Sequence, residues 1–406
     1  MTDNGGVATR GAFPVDRDPA CPLDPAPEYR ELREQAPIAP LSCPIGLDAW
    51  VLTRHEDIRT ALVDPRLSSR GAPSNHVVPN ADPDEPVAPG VLLRMDGPAH
   101  SRLRRLLTPE FTVKRIQALR PKIQRLVDEH IDAMLASTEP VDLYRDFALP
   151  IPSLVICELL GVPYADRDSF QHQTTLLVGV GGDPGATAVA AMQVQQFMAQ
   201  LVLAKMEHPE DDLLSRLIRR AQETGEPLTV EELVSLGVTL LIAGHETTAN
   251  MIALSTLALL RSPDQLAALR ADPELAPGAV EELLRYLSIV HFGLFRYATE
   301  DVEIGEETIR AGQWLVAALS AGNREESVFP DPDTLDLTRN AKAHLAFGYG
   351  VHQCLGQQLA RVELQEVFSR LYTRIPTLRL AVPFEDIRFK HDALVYGVRA
   401  LPVTWD

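Results

Sequence analysis

Residues 347–356 read Phe347-Gly348-Tyr349-Gly350-Val351-His352-Gln353-Cys354-Leu355-Gly356, and the apolar-patterned stretch "QQLARVELQEVF" follows. The chain has only four cysteines, and one of them stands in a glycine-containing loop just ahead of a helix. The dipole of that helix predicts a lowered thiol pKa, and backbone N–H groups beside the sulfur would add to the effect. Gly350 and Gly356 would let a flat ligand approach the backbone closely, with Phe347 covering one side of it. No second protein ligand lies within sequence reach. A single protein thiolate suits an iron whose other four ligands come from a porphyrin. The plain alternative is a buried cysteine in a tight turn, and Cys354 taken alone favours it.

The totals narrow the field. A formal net charge of −18 over 406 residues argues against a nucleic-acid binder, because phosphate contacts need basic surface. The N-terminal stretch "MTDNGGVATRGAFPVDRDPACPLDP" has no apolar core of a secretory signal. The longest apolar run, near Leu236 to Gly244, is too short to span a bilayer. The expectation is a cytoplasmic protein without a membrane anchor. Cys21, Cys43, Cys157 and Cys354 form no CxxC pair, which removes zinc-ribbon, thioredoxin and cluster spacings; Cys157, in "LVICELLG", reads as core.

The pattern predicts a mostly α protein with small β-sheets, as a single unit over 1–406 whose first thirty residues form an extended leader. "AWVLTRHEDIRTAL" reads as a strand running into a helix, residues 66–98 as a long loop, and residues 100–141 and 151–262 as helices broken at "GVGGDPG" (Gly179 to Gly185). Short alternating stretches appear after residue 300. The longest helix starts at "LTVEEL", where Thr229 and Glu232 have capping-box spacing, and runs without proline to about Leu260. Its middle, Ala243-Gly244-His245-Glu246-Thr247-Thr248, sets polar residues in an apolar run. A zinc-protease reading of His245-Glu246 fails because position 249 is alanine. "GYGVHQ" lacks the third glycine of a dinucleotide fingerprint, and no GxSxG or Walker sequence is present.

At this point the chain resembles the cytochrome P450 family. "FGYGVHQCLG" matches that family's cysteine loop, FGxGxHxCxG, at every fixed position. "AGHETT" matches its central-helix pattern, "EELLR" supplies the Glu-x-x-Arg pair as Glu282 and Arg285, and "MDGPAHSRLRRLL" resembles DPPEHxRLRR. The four segments occur in the family's order over nearly the whole chain, and the overall look is that of soluble actinobacterial members.

The resemblance implies a fold whose long central helix crosses the molecule above haem b, with Cys354 as the metal ligand. It places Gly244 where oxygen needs room, Thr247 as an alcohol beside the oxygen site and Glu246 as a proton relay, with His245 and Thr248 serving packing or the relay. It places His100, Arg104, Arg296 and His344 on the haem propionates, with His352 beside the haem edge. Glu282 and Arg285 would form a structural ion pair. Relatives add a third arginine from a "PDRF"-like segment that here reads "PDTL", leaving Thr334 at that position.

The resemblance further implies a substrate pocket lined by Leu92, Leu93, Val178, Leu240, Ala243, Ile289, Val290, Phe292, Leu294 and Tyr396, suited to a lipophilic guest. The expected reaction is hydroxylation or epoxidation of a macrolide, polyketide, terpenoid or xenobiotic by a monomer using O2. Electrons would come from a ferredoxin and its reductase, since the chain has no flavin or cluster motif. Residues 101–125 hold Arg102, Arg104, Arg105, Lys114, Arg115, Arg120, Lys122 and Arg125 against Glu110, a basic patch on which an acidic ferredoxin could dock. The rival readings are a peroxide-dependent haem hydroxylase, against which Glu246-Thr247 speaks, and a non-catalytic haem-thiolate sensor.

Overall fold

The computed structural model of the chain describes residues 11–14, 16–43, 47–70, 84–167, 184–391 and 393–406. Its organising element is the helix Val230–Arg261. The Thr229 hydroxyl accepts from the Glu232 amide at 3.1 Å, and the Glu232 carboxylate accepts from the Thr229 amide at 2.9 Å. This capping box satisfies two amides that the first turn leaves open. The helix has 32 residues, which at about 1.5 Å per residue gives roughly 48 Å. From Thr248 to Leu259 every residue is buried, so this half is the spine of the main hydrophobic cluster. Helices Pro150–Leu160, Pro184–Glu207 and Gln357–Arg374 pack against it.

The β portion is not confined to the end of the chain, and the expectation of a late sheet needs correction. Five strands lie in the order Ile38–Ser42, Asp48–Leu52, Trp314–Ala317, Leu294–Ala298 and Leu67–Ser68. Asp48–Leu52 runs parallel to Trp314–Ala317, with Ala49 opposite Trp314. "AWVL" is a strand as read, but its partner lies far along the sequence. Ala49 to Leu52 are all buried, so the strand lacks the alternation that marks a one-sided sheet. The leader also packs: Phe13 is buried with its ring edge against Tyr29, and the Arg17 guanidinium lies 3.9 Å from the Tyr396 ring centre.

Glu282 and Arg285, one turn apart on the helix Ala276–Leu287, are both fully buried. The guanidinium meets the carboxylate in a fork of 2.7 and 2.8 Å and also donates to the carbonyls of Asn323 and Pro332. The third cation, doubtful from the sequence, is Arg339, whose Nε donates to Glu282 at 3.2 Å. Thr334 contributes only its backbone carbonyl, accepting from Arg285 and Arg339.

Candidate functional site

The cysteine loop turns on Gly350, whose φ of 76° lies in the left-handed region. Glycine is required there by a contact the sequence does not show. A methyl placed there would come within 2.6 Å of the Leu62 carbonyl oxygen, so glycine lets the loop press against helix His55–Val63. Gly350→Ala should therefore cost about 1–3 kcal/mol. A lowered thermal midpoint would register this, and an unchanged midpoint would refute it. Gly356 does face the sulfur, with Cys354 Sγ at 4.0 Å from the position of an added methyl, and it caps helix Gln357–Arg374.

The Cys354 amide donates to the Phe347 carbonyl at 2.9 Å, closing the loop. Burial pushes the thiol pKa up, more than the Gly356 and Gln357 amides aimed at sulfur and the charges of Arg104 and Arg361 pull it down. The expected net lowering is thus reversed in the protein alone. A metal bound at sulfur displaces the proton outright, and the two amides then stabilise the thiolate. Among the described residues no group of three or more His, Cys, Asp or Glu could hold a metal. A metal at Cys354 must bring its remaining ligands with it, as iron in a porphyrin does.

Around this loop the structure gathers basic side chains, of which Arg296, Arg104 and His100 have no carboxylate partner among the described residues. Arg296 is buried, donates to its neighbour's carbonyl at 2.7 Å and forms no ion pair among the described residues. His100 is buried with Nε2 unpartnered, and burial lowers its pKa to about 4. Arg104 donates to the Gln353 carbonyl in the loop itself. His352 stacks on His100 with ring centres 4.1 Å apart, and its Nε2 lies 3.2 Å from Asp96. Burial works against ionisation of Asp96, yet His352, Ser68 and Ser69 hold its carboxyl well below the usual range. His344 stands differently, its Nε2 3.1 Å from Glu281, which also takes a fork from Arg361. Phe347 lies under the Arg361 guanidinium at 4.6 Å. An unpaired buried cation is costly; Arg296 as the charge and the unpartnered His100 ring nitrogen as a hydrogen-bonding group fit an anionic group seated beside Cys354.

Opposite the buried half of the central helix, its middle borders open space. Ile242 is 37 % exposed and Ala243 is exposed, while Leu241 and His245 are buried. Gly244 faces Ile156, 3.2 Å from an added methyl. The Thr247 hydroxyl donates to the Ala243 carbonyl at 2.7 Å. That bond is the helix-local one open to any threonine; it leaves the hydroxyl oxygen able to accept. Burial raises the Glu246 pKa, against the pull of Lys390. Thr248 bonds to Glu363, a fully buried carboxyl on the Cys354 helix that burial raises to about 8. His245 is buried, and burial lowers it to about 4 against the weaker pull of a contact with the Leu149 backbone.

The apolar residues read as pocket lining divide. Leu240, Val290, Phe292 and Leu294 are half-buried and Leu93 is 62 % exposed. Leu92 and Ile289 are buried, and Tyr396 is fully so, packed between Arg17 and His291. Tyr396 therefore stands behind the wall rather than on it. Val178 and most of "GVGGDPG" lie outside the described residues.

The basic stretch 101–125 is far less unopposed than its sequence suggests. Arg102 pairs with Glu232, Arg105 with Glu226, Arg115 with Glu110, Arg120 with Glu366 and Lys122 with Glu158. All but one of these acids lie far along the chain, outside any local window. Lys114 and Arg125 are exposed and form no ion pair among the described residues.

One cysteine at the head of a helix, a buried carboxylate-free arginine beside it and a polar break in a core-spanning helix define a class: a helical haem-thiolate protein. Comparison with known proteins agrees. A sequence model of the family described as Cytochrome P450 matches residues 188–374. Cytochrome P450-SU2 of Streptomyces griseolus is 48% identical over 393 residues, covering 97% of this chain and 96% of its own. Pentalenic acid synthase of Streptomyces avermitilis is 48% identical over 411 residues, covering 100% of both. The crystal structure of CYP105P1 in complex with filipin I superposes with a TM-score of 0.90 at 45% identity, covering 98% of this chain and 99% of that one. The chain belongs to the cytochrome P450 family. It is a monooxygenase that binds haem b through a cysteine thiolate. No helix among the described residues is long and apolar enough to cross a membrane.

Proposed function

We propose that this P450 inserts one oxygen atom of O2 into a lipophilic small molecule of the macrolide, polyketide or terpenoid kind. The observation that carries the reading is the open middle of the central helix, where apolar Ile242 and Ala243 border the same turn as Glu246 and Thr247. A guest there is held by dispersion and desolvation and needs no charge partner. Haem bound at Cys354 supplies oxygen activation. This chain supplies the rest: Arg296 and Arg104 neutralise the propionates and His100 hydrogen-bonds to one, with His352 at the edge and His344 joining them by leaving Glu281. Thr247 accepts and passes a hydrogen bond, and Glu246 brings the proton. The names of the relatives support the substrate class: one makes pentalenic acid and another was solved with filipin I.

Electrons come, in this reading, from a ferredoxin and its reductase, with Lys114 and Arg125 as the cations left free to meet an acidic partner. The test uses the haem-loaded protein with filipin I as probe. Binding should shift the Soret band, and NADPH with a surrogate ferredoxin and reductase should give a product heavier by one oxygen, more slowly as salt rises. Failure to bind or oxidise filipin I or any member of a macrolide and terpenoid panel would overturn the substrate class. A rate indifferent to salt would overturn the docking.

A further inference from the structure

Lys390 is 5 % exposed, in a hairpin near the C-terminus that no motif marks. The hairpin is tied by the Lys390 amide donating to the Gly397 carbonyl at 2.9 Å and by the bridge between Phe389 and Val398. It is pressed onto the central helix at Asn250. A methyl at Gly397 would come within 1.8 Å of the Asn250 side-chain oxygen, so only glycine allows that approach. Asn250 in turn donates to the Glu246 carbonyl at 2.9 Å, one turn earlier.

The ammonium is thereby delivered to one place. It donates to the Tyr144 hydroxyl at 2.8 Å and to the Asn250 side-chain oxygen at 3.3 Å, and Glu246 Oε1 lies at 3.5 Å. Tyr144 also offers its ring face at 4.4 Å. The short contacts are to neutral oxygens that fix the lysine, and the carboxylate is the loosest of the three. A buried lysine is strongly favoured to keep a counter-charge; the Glu246 carboxylate also takes a hydrogen bond from the Asn250 side chain, and to turn away it must release that bond and the looser contact to the lysine at 3.5 Å.

We propose that Lys390 is the positioning residue for Glu246, holding its carboxylate ionised and turned toward the hairpin until the acid is needed at the distal face. The inference rests on the reading of Glu246 as the proton relay. The titratable groups around the pair are Tyr144 and, behind it, Asp142 on one side, His245 on the central helix itself and Arg399 on the hairpin. His245 is neutral near pH 7, its pKa lowered by burial to about 4. Tyr144 is pushed up by burial and stays protonated. Arg399 is the second cation and opposes Lys390's charge. Lys390 is therefore the near cation whose removal changes Glu246. The sign is fixed: a cation favours the ionised carboxyl, so deleting it adds to the upward push of burial.

The experiment is an isotope-edited infrared titration of the haem-loaded, substrate-free protein carrying 13C-glutamate. The neutral-carboxyl band that Glu246→Gln deletes reports Glu246. In Lys390→Met that band is expected to persist to higher pH by about one unit or more, while Lys390→Arg titrates like the parent. Lys390→Gln serves equally if the methionine variant loses its haem spectrum. An unshifted Glu246 band in these variants overturns the proposal. If instead Glu246→Gln oxidises filipin I with unchanged product per NADPH, the relay reading itself falls, whatever the band does.

Discussion

Cys354→Ser is expected to abolish the spectrum of a thiolate-ligated carbon monoxide adduct and to reduce product formation to background. Serine preserves the loop's shape, since the Cys354 amide, not its side chain, closes the loop onto the Phe347 carbonyl. What it removes is the one soft anionic ligand in a region that offers no other cluster of metal ligands among the described residues. The amides of Gly356 and Gln357 are arranged for a sulfur anion, and a neutral hydroxyl gains little from them. A serine variant that retained the thiolate-type spectrum would show that another residue binds the iron.

Glu282→Gln should have the largest effect on stability. Its carboxylate is fully buried and accepts from Arg285 twice, from Arg339 and from the Asp336 amide. The amide would leave two guanidinium groups short of a counter-charge in a dry interior. Breaking such a buried pair from one side costs about 3–5 kcal/mol, out of a total that is typically about 5–15 kcal/mol. Chemical denaturation should show a midpoint lowered accordingly, and the holoprotein should be recovered in reduced yield. Arg339→Ala should cost less, because its contact is longer and partly exposed. An unfolding free energy for Glu282→Gln within about 0.5 kcal/mol of the parent, the scatter of ordinary surface changes, would rule this out.

What the sequence discloses is what is local. The capping box at Thr229 and Glu232, the polar break at Gly244–Thr247 and the loop ending in Cys354 are each written in fewer than a dozen consecutive residues, and each stands in the structure where it was expected. The third cation on Glu282 escaped because a short motif pointed to position 334, whereas geometry uses Arg339. The arginines of 101–125 looked unopposed because Glu226, Glu232 and Glu366 reach them only after folding. Lys390 sits in "RFKHDALVYG", a stretch with no pattern of its own. Its significance lies wholly in the approach of Gly397 to Asn250. The approach of Gly350 to Leu62 and the packing of Tyr396 between Arg17 and His291 were out of reach for a related reason: a residue type near a site does not say which neighbour it touches.

The parallel pairing of Asp48–Leu52 with Trp314–Ala317 has a bearing on how the chain is made. At synthesis rates of about 5–20 residues per second, the first of these strands leaves the ribosome roughly ten to fifty seconds before its mate. Through that interval its hydrogen-bonding edge is one long-range partner short, and contacts of such wide separation close slowly. The loop that carries Cys354 is translated only a few seconds after Trp314–Ala317. Completion of the sheet and emergence of the Cys354 loop thus fall within seconds of each other, so the sheet edge and the loop that presents the sulfur are finished almost together, long after the first strand has been made.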